Sequence, residues 1–446
     1  MCPAALPLIL NEGRLVRGFG LDVHRDFCEV AIAEDGRVRR AGRVATEPAA
    51  LRLFAESLGR DDEVVLEATA NALAIARLLE PHVGRVVLAN PKAVKAATGL
   101  RAKTDKIDAK TLAKLLASGF LPEVWTPDER TRVRRRLIAR RGQLVRHRVR
   151  EKNQIHAILQ RNLVPRPPMT DLFGVKGRSW LAEQLERLAE DEQTMAAACL
   201  RQVDFLGQEL ALVDHDVARQ ALDSKEIRRL MTLPGVSAVT ATAFMAAVGD
   251  IARFPTPRHL VGYLGLDPRV RQSGSEPASH GRISKQGPGE TRGLLVEAAW
   301  HAARTTGPLR AFHQRLAVRR GANVATVAVA RKLALIAWHM LSRGEDYAFA
   351  RPSLVREKLR RLELMLGADR QQGKRLTPAG RSFASVDGRR LEKELAAQQE
   401  LAYRRLVADW QPSGRKAGAG ATAGRASSGP QRPAARQTSK PQRSAL

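Results

Sequence analysis

Apolar runs with strand periodicity mark the first part of the chain as an α/β domain. Five strands are predicted, at 16–33 (two strands), 38–46, 63–69 and 85–91. The turn EDGR at 34–37 contains Asp-Gly, which favours the positive φ angles of a hairpin. Helical periodicity predicts helices at about 47–58, 71–80 and 105–118. Three antiparallel strands followed by alternating helices and strands predict an α/β domain with a mixed sheet.

A long basic helix is predicted over 126–162. Thr126 is its expected N-cap, followed by Pro127 at the first position and Glu129 in a capping box. Twelve Lys and Arg face a single acid, Glu151, between Arg130 and Asn162. A basic face is usually only a solvated face, but this imbalance favours contact with phosphate. The candidate phosphate-binding residues on this helix are Arg130, Arg134, Arg135, Arg140, Arg141 and Arg148.

A near-heptad apolar seam follows, on a helix predicted over 180–222. Its positions are Leu181, Leu185, Leu188, Met195, Cys199, Leu206, Leu210, Val213 and Val217, with Glu192 and Gln202 as interruptions. Such a helix could simply pack on its own domain. The 4-3 spacing favours a coiled coil, and therefore self-association.

The next region is predicted to be an all-α domain and contains one long polar segment. LPGVSAVTATAFMAAVGDIARF at 233–254 is similar to a helix-hairpin-helix, in which a glycine turn offers backbone N–H groups to phosphate, although a plain helical hairpin fits too. The segment 263–292 is rich in Gly, Ser and cations, as functional loops often are. Further helices are predicted at about 291–305, 308–319, 324–342, 353–366 and 388–409. Residues 412–446 contain seven basic residues and no acid, which predicts a disordered cationic tail.

The net charge of the chain indicates a protein that binds nucleic acid. The 446 residues contain 75 Lys and Arg against 46 Asp and Glu, a formal net charge of +29. A membrane surface is the rival partner, but the most apolar stretch, Val324–Leu341, is interrupted by Arg331 and Lys332. The opening MCPAALPLIL does not have the pattern of a signal peptide. The three cysteines are far apart in sequence, so we expect a reducing cytoplasm.

Four acids suggest chemistry on that nucleic acid. Asp22 lies in the first strand and Glu67 ends the fourth, while Asp105 and Asp108 share one face of the helix that begins in KTDKIDAKTLAKLL. Taken alone, the Asp pair could be a helix start neutralised by neighbouring lysines. Asp and Glu among apolar strand residues are costly unless they are paired or bound to metal. This order of acids is that of ribonuclease H-like nucleases, which clamp a phosphodiester between two divalent ions.

The motifs GLDVH, VVLEAT and KTDKIDAKTLAKLL resemble the N-terminal motifs of bacterial insertion-sequence transposases of the DEDD type, family 110 and its 1111 subgroup. LPGVSAVTATAFMAAVGDIARF and YLGLDP…SG…GRISKQG resemble the C-terminal transposase domain of the same family. The resemblance covers about residues 16–342, with both halves in the expected order. Residues 345–446 extend past the usual end of the family, and HRD at 24–26 stands where members often have a lysine.

The resemblance implies a RuvC-like N-terminal domain followed by a C-terminal transposase domain that carries a nucleophilic serine. Asp22, Glu67, Asp105 and Asp108 would hold Mg²⁺, two ions in number, with Mn²⁺ as a substitute. Ser273 would be the nucleophile that attacks DNA phosphate, with Ser275, Ser279 and Ser284 nearby as alternatives. The cations that would neutralise that phosphate are Arg269, Arg271, Arg282 and Lys285.

The resemblance also implies partners and a place in the cell. DNA of the element ends and target, an element-encoded guide RNA, and a second or further copies of the chain in a dimer or tetramer are expected, in the bacterial cytoplasm at the nucleoid and with no membrane. Two alternatives stay open, a RuvC-like junction-resolving endonuclease and a noncatalytic nucleic-acid-binding protein. The predicted domains are 14–124 (RuvC-like), 125–226 (basic helix and coiled coil), 227–344 (serine-bearing transposase domain), 345–411 (helical extension) and 412–446 (tail).

Overall fold

The computed structural model describes residues 17–98, 105–274, 279–368 and 386–409. They form two compact units. The first consists of the chain up to Arg228 together with Ala238–Pro255, and the second of Arg229–Ser237 and the residues from Thr256 onward. The five-part division of the sequence stays a prediction, and the proposed tail lies outside the described residues.

The first unit is built on a mixed sheet, as the apolar pattern predicts. Among the described residues its six strands are β1 (Gly18–Val23), β2 (Phe27–Glu34), β3 (Arg37–Ala45), β4 (Glu63–Glu67), β5 (Arg85–Ala89) and β6 (Glu123–Val124). Their order is β3-β2-β1-β4-β5-β6. The pairs β1–β4 and β4–β5 are parallel and the other three are antiparallel. This arrangement is consistent with a ribonuclease H-like fold.

Helices cover both faces of the sheet, and the two faces differ in residue size. Against one face pack α1 (Pro48–Glu56) and α2 (Ala72–Leu79), over large side chains such as Phe19 and Leu21. On the other face α4 (Asp105–Ala117) packs on alanines of β2. The helix α3 (Pro91–Thr98) lies between α2 and α4 in sequence, and the sequence pattern does not predict it. Small residues under α4 let its backbone come close to the sheet.

Two long antiparallel helices complete the first unit. α5 (Glu129–Arg161) matches the predicted basic helix, but its N-cap is Asp128 rather than Thr126, because the Asp128 carboxylate accepts from the N–H of Thr131 at 3.1 Å. α7 (Glu190–Asp223) runs back along α5, with Arg141 Nε 2.6 Å from Asp214 Oδ1.

The seam helix differs from its prediction in two ways. The helix expected over 180–222 is two helices, α6 (Val175–Leu185) and α7, interrupted at residues 186–189. Its apolar seam is already covered by the same chain, since Leu206 and Leu210 pack on Leu144 of α5. The inference that this stripe needs another chain to bury it is therefore wrong, because α5 supplies an apolar stripe of its own.

The end of the first unit and the start of the second lie in the predicted hairpin region. α8 (Lys225–Leu230) leads to the Pro-Gly turn, and α9 (Ala238–Val248) is buried along its whole length and packs on α5. Gly235 has φ 78°, and a Cβ there would lie 2.1 Å from the carbonyl oxygen of Ala298. The turn is therefore a packing contact within the second unit, and phosphate binding by it stays a prediction.

The second unit is helical apart from one hairpin, so the prediction of an all-α domain is wrong: part of the polar segment 263–292 pairs as two antiparallel strands. Its described elements are α10 (Pro257–Tyr263), β7 (Pro268–Arg271), β8 (Ser279–Ile283), α11 (Gly289–Arg304), α12 (Pro308–Arg320), α13 (Ala322–Arg343), α14 (Pro352–Met365) and α15 (Val386–Ala408). Of the helices that the structure describes, α13 is the one long and apolar enough to cross a membrane by length and composition. Leu333 and Ala337 are buried inside the unit, so α13 is its core helix.

The C-terminal extension is part of this unit. Lys358 on α14 donates to the carbonyl oxygens of Met231, Leu233 and Val236 at 2.7–3.0 Å. Burial among these neighbours lowers the pKa of Lys358 to about 8. Glu400 on α15 accepts from the N–H of Gly307 at 3.0 Å. These buried polar bonds join the extension to the turn and helices that precede it.

Candidate active site

Asp22 and Glu67 stand side by side at the carboxyl ends of two parallel strands. The register of β1 and β4 pairs Leu21 with Leu66, so the residues that follow them point to the same face of the sheet. Asp22 is 6% exposed, and Glu67 is half-buried. A strand pair thus brings together two acids that are 45 positions apart in sequence.

Gly20 is the reason that α4 reaches this face. A Cβ at Gly20 would lie 2.3 Å from the carbonyl oxygen of Ala109 and 2.5 Å from the N–H nitrogen of Ala113. The α4 backbone therefore rests on β1 at a position where only glycine fits. Gly20 and Asp22 point to the same face, and Asp108 precedes Ala109, so this contact also sets the position of Asp108.

Electrostatics show that three of the four predicted acids lie near one another. Burial raises the pKa of Asp22 above its usual value, and the charges of Asp108 and Glu67 raise it further, while His24 opposes the shift. In the part of the chain that the structure describes, no three His, Cys, Asp or Glu side chains form a metal site on their own. Asp105 begins α4, but its side chain lies outside the described residues.

Sequence reasoning missed two neighbours of Asp22. His24 Nε2 lies 3.1 Å from Asp22 Oδ2. Glu29 is paired with Asp22 across β1 and β2 and has no exposed surface. Burial raises the pKa of Glu29, but hydrogen bonds from Arg40 and Arg43 outweigh burial and lower it. The signal was available, because an acid in the apolar run FCEVAIA faces the arginine-rich strand RVRRAGR.

Ser273 belongs to the second unit, in the loop of the β7–β8 hairpin. It is exposed and precedes Gly274, whose φ is 55°. Ser275 lies outside the described residues, and Ser279 begins β8. Ser284 Oγ donates to Asp267 Oδ1 at 2.7 Å, which gives this serine a structural bond at the hairpin base. The four cations predicted to bind phosphate are all exposed on the hairpin or just after it, namely Arg269, Arg271, Arg282 and Lys285.

Two glycines of the sequence motifs hold the base of this hairpin. Gly265 has φ 65°, and a Cβ there would lie 2.2 Å from the carbonyl oxygen of Gln286. Gly287 has φ 71°, and a Cβ there would lie 2.0 Å from the carbonyl oxygen of Tyr263. Arg292 donates to the carbonyl oxygens of Leu264 and Gln286. The segments YLGLDP and SKQGPGE therefore contact each other at the base of the hairpin. We call this contact the glycine clamp, and it holds the loop that contains Ser273.

The basic helix α5 is only partly free to bind nucleic acid. Arg134 is 3% exposed, Arg135 Nε donates to Ala246 O at 2.8 Å, and Arg141 is paired with Asp214. Packing of α7 and α9 on α5 uses or buries these three side chains, and phosphate binding by them stays a prediction. Arg130 and Arg140 are exposed, and Arg148 is half-buried. Within the described residues, Arg148 has no acidic partner, and the same holds for Arg146 and Arg150 beside it.

Comparisons with known proteins agree with the two halves of this description. A model of the DEDD transposases of the IS110 type matches residues 19–163, and a model described as Transposase IS116/IS110/IS902 family matches residues 227–314. The first match contains the sheet with its acids and α5, and the second contains the hairpin with Ser273.

Curated relatives match across both halves. A putative transposase, y4qE, of Sinorhizobium fredii is 30% identical over 305 residues, or 66% of this chain and 75% of the relative. The transposase for insertion sequence element IS1111A of Coxiella burnetii is 28% identical, over 55% of this chain and 68% of its own length. The transposase for element IS1328 of Yersinia enterocolitica is 26% identical, over 64% and 85%. With its acid-bearing sheet and its serine hairpin both matched, the chain belongs to the IS110 family of DEDD transposases.

Proposed function

We propose that this chain cuts and rejoins the DNA of an insertion sequence with one composite active site, made of the acids Asp22, Glu67, Asp105 and Asp108 and the nucleophile Ser273. The observation that carries the proposal is that Asp22 and Glu67 end neighbouring parallel strands on one face of the sheet, where the charges of Glu67 and Asp108 act on Asp22. Like charges that share a face need a compensating cation, and DNA cleavage is the chemistry expected of the family.

Divalent metal ions fit this set of residues. Transposases of this family generally use such ions, and carboxylate oxygens are the ligands that Mg²⁺ prefers. Burial is the largest cause of the raised pKa of Asp22, and the charges of Asp108 and Glu67 add to it. Asp22, Glu67 and Asp108, with Asp105 one helical turn earlier, would hold one or two Mg²⁺ ions, with Mn²⁺ as a substitute. Bound there, the ions would polarise the phosphodiester and stabilise its developing charge.

Ser273 would carry the covalent step. Its Oγ loses a proton and forms a bond to the phosphorus, while the bond from phosphorus to the leaving sugar oxygen breaks and that oxygen gains a proton. The phosphoserine ester keeps the energy of the broken bond, so a second strand's hydroxyl can displace the serine without a further cofactor. Exposed cations on the hairpin support this step, because they would pair with phosphate beside this serine.

The free part of α5 is the proposed contact for a structured RNA or duplex DNA. Arg146, Arg148 and Arg150 lack acidic partners among the described residues, and Arg130 and Arg140 are exposed. A guide RNA encoded by the element, as the resemblance implies, would bind here. We also propose a dimer or tetramer, as the resemblance implies, in which the acids and the serine of one site come from two chains.

One assay tests the reaction against its alternatives. Purified protein is incubated with element-end DNA, the element's RNA and Mg²⁺, and products are separated under denaturing conditions. A covalent protein–DNA adduct is expected, and it should be lost in Ser273→Ala and Asp108→Asn. Ser279→Ala, on the same hairpin, is the matched control and should retain the adduct. Nicked DNA without adduct would favour a junction-resolving endonuclease, and a mobility shift without cleavage would favour a noncatalytic binding protein.

A further inference from the structure

A cavity opens at the carboxyl ends of β1 and β4, on the face of the sheet that α1 and α2 cover, and Asp22 points to the other face. The cavity has a volume of about 570 Å³ and is bounded by the β1–β2 turn, the β3–α1 connection and α2. Leu51, Ile75 and Leu78 form its apolar part, and His24 and Thr69 are among its polar residues. Volume and lining are those of a site for a small planar organic group. In open α/β sheets, ligands bind outside the carboxyl ends of the strands.

Hydrogen bonds between three connections, β1–β2, β3–α1 and β4–α2, fix the walls of this cavity. Thr46 donates from its hydroxyl to the carbonyl oxygen of Arg25, and from its N–H to that of Asp26 at 3.1 Å. Asn71 Nδ2 donates to the carbonyl oxygen of His24 at 3.1 Å, and Thr69 Oγ1 donates to Asn71 Oδ1 at 3.2 Å. The cavity is therefore formed before any ligand binds, which lowers the entropic cost of binding.

His24 connects the cavity to the acids. Its side chain lines the cavity, and its Nε2 lies 3.1 Å from Asp22 Oδ2. Val23, between them, also lines the cavity and points to the opposite face of the sheet from Asp22. A strand whose phosphate lies at Asp22 would thus have its adjoining nucleotide at the mouth of the cavity. Arg25, whose side chain is 96% exposed, stands at that mouth as a cation for the neighbouring phosphate.

We propose that this cavity binds one unstacked nucleobase of the DNA strand that is cut, next to the scissile phosphate. The proposal rests on the proposed function, since it places the scissile phosphate at Asp22, Glu67 and Asp108. Bases taken out of the stack are held in protein pockets by apolar contact and by hydrogen bonds to their edges. A base in the cavity would fix the backbone of the strand against the acids and would make cleavage sensitive to the identity of that base.

Ala74 allows the cavity to be filled without disturbing the core. It lines the cavity but is exposed on α2, whereas its neighbours Ile75 and Ala76 are buried. Ala74→Phe should occupy the space of the base. Ala49→Phe is the matched control, because Ala49 is also an exposed helical alanine, on α1, and does not line the cavity. Equal melting temperatures of the two variants would show that the fold is intact.

The first measurement uses DNA that stays uncut. In an Asp108→Asn background, 2-aminopurine replaces each base in turn around the mapped cleavage position of element-end DNA. Its fluorescence rises when it leaves the stack. A rise at one position is expected, and it should disappear with Ala74→Phe and remain with Ala49→Phe. No rise at any position, or a rise that Ala74→Phe leaves unchanged, would overturn the proposal.

The second measurement uses cleavage by protein with intact acids. With ordinary DNA, Ala74→Phe should reduce the cleavage rate about tenfold, the size of one base–protein stacking contact. With an abasic site at the position found above, Ala74→Phe and Ala49→Phe should cut equally fast, because no base needs the cavity. An equal loss on both DNAs would contradict the base pocket. Failure of unsubstituted protein to cut any DNA would instead refute the proposed function, while the fluorescence result would still report on the cavity.

Discussion

At the scale of single residues, the buried acid of the first strand, Asp22, is a source of instability. Burial and the neighbouring acids raise the pKa of Asp22 in the folded protein. A raised carboxyl pKa means that the folded state binds the proton more tightly, so stability is lost as pH rises through that pKa. At neutral pH the charged Asp22 therefore costs folding free energy, as residues of active sites often do.

We predict that Asp22→Asn melts at a higher temperature than the unsubstituted protein at pH 7, by roughly 2–4 °C. The difference should shrink as pH falls towards the ordinary Asp value of about 3.9. Thermal unfolding followed by circular dichroism measures both. Mg²⁺ should raise the melting temperature of the unsubstituted protein more than that of Asp22→Asn. A lower melting temperature of Asp22→Asn at pH 7 would show that the His24 contact outweighs the repulsion.

Gly20 is predicted to be as important for cleavage as the acids it positions. A methyl group at Gly20 meets the α4 backbone, which cannot move aside as a flexible side chain can. Gly20→Ala should lower the free energy of unfolding by about 1–3 kcal/mol and reduce cleavage, because α4 and Asp108 shift away from Asp22. Gly18→Ala is the control, since its Cβ would meet side-chain atoms at ordinary contact distance, Leu116 at 3.4 Å and Ala33 at 3.8 Å. Equal cleavage by the two variants in denaturing gels would contradict this role of Gly20.

At the scale of elements, much of the first unit could be predicted from the sequence. Strand and helix periodicities give the strands from β1 to β5 and the long helix α5, because those segments are buried on one or both faces. Gly20 could not be singled out, since its need for glycine comes from α4, which is distant in sequence. The sequence left open whether the seam packs within its own domain, because a heptad pattern specifies an apolar partner and not which chain supplies it.

Because the seam of α7 packs on α5 of the same chain, any association of chains through α7 must use its outer face. Leu206→Ala should lower the free energy of unfolding by about 2–5 kcal/mol through a cavity against Leu144.

On the outer face of α7, Phe205 is 56% and Leu212 65% exposed, one heptad apart. Phe205→Lys with Leu212→Lys should reduce the oligomer mass in sedimentation while the melting temperature stays unchanged. If the mass also stays unchanged, the chains associate through another surface.

We predict that the β7–β8 hairpin depends on its glycine clamp, as α4 is predicted to depend on Gly20. Gly265→Ala would place a side chain at positive φ and against the Gln286 carbonyl, so the serine loop should move and the covalent adduct should fall at least tenfold. Gly262→Ala, in α10 with open space around its Cβ, is the matched control and should keep the adduct. Quantified adduct formation on denaturing gels makes the comparison. An equal adduct yield from both would show that the clamp does not position Ser273.

At the scale of the whole molecule, the acids and the serine belong to different compact units, 165 residues apart in sequence between Asp108 and Ser273. Chemistry that needs both can be completed within one chain or between two. Mixing Ser273→Ala protein with Asp22→Asn protein distinguishes these cases, because each chain then keeps one intact half-site. If the site forms between chains, a mixed dimer contains one intact composite site, and random pairing puts half of the dimers in that class. The yield of covalent adduct should then return to about a quarter of that of the unsubstituted protein. The DNA should be attached only to the Asp22→Asn chain, because that chain supplies the serine. Neither variant alone should form adduct, and an inactive mixture of chains that exchange freely would place both half-sites in the same chain.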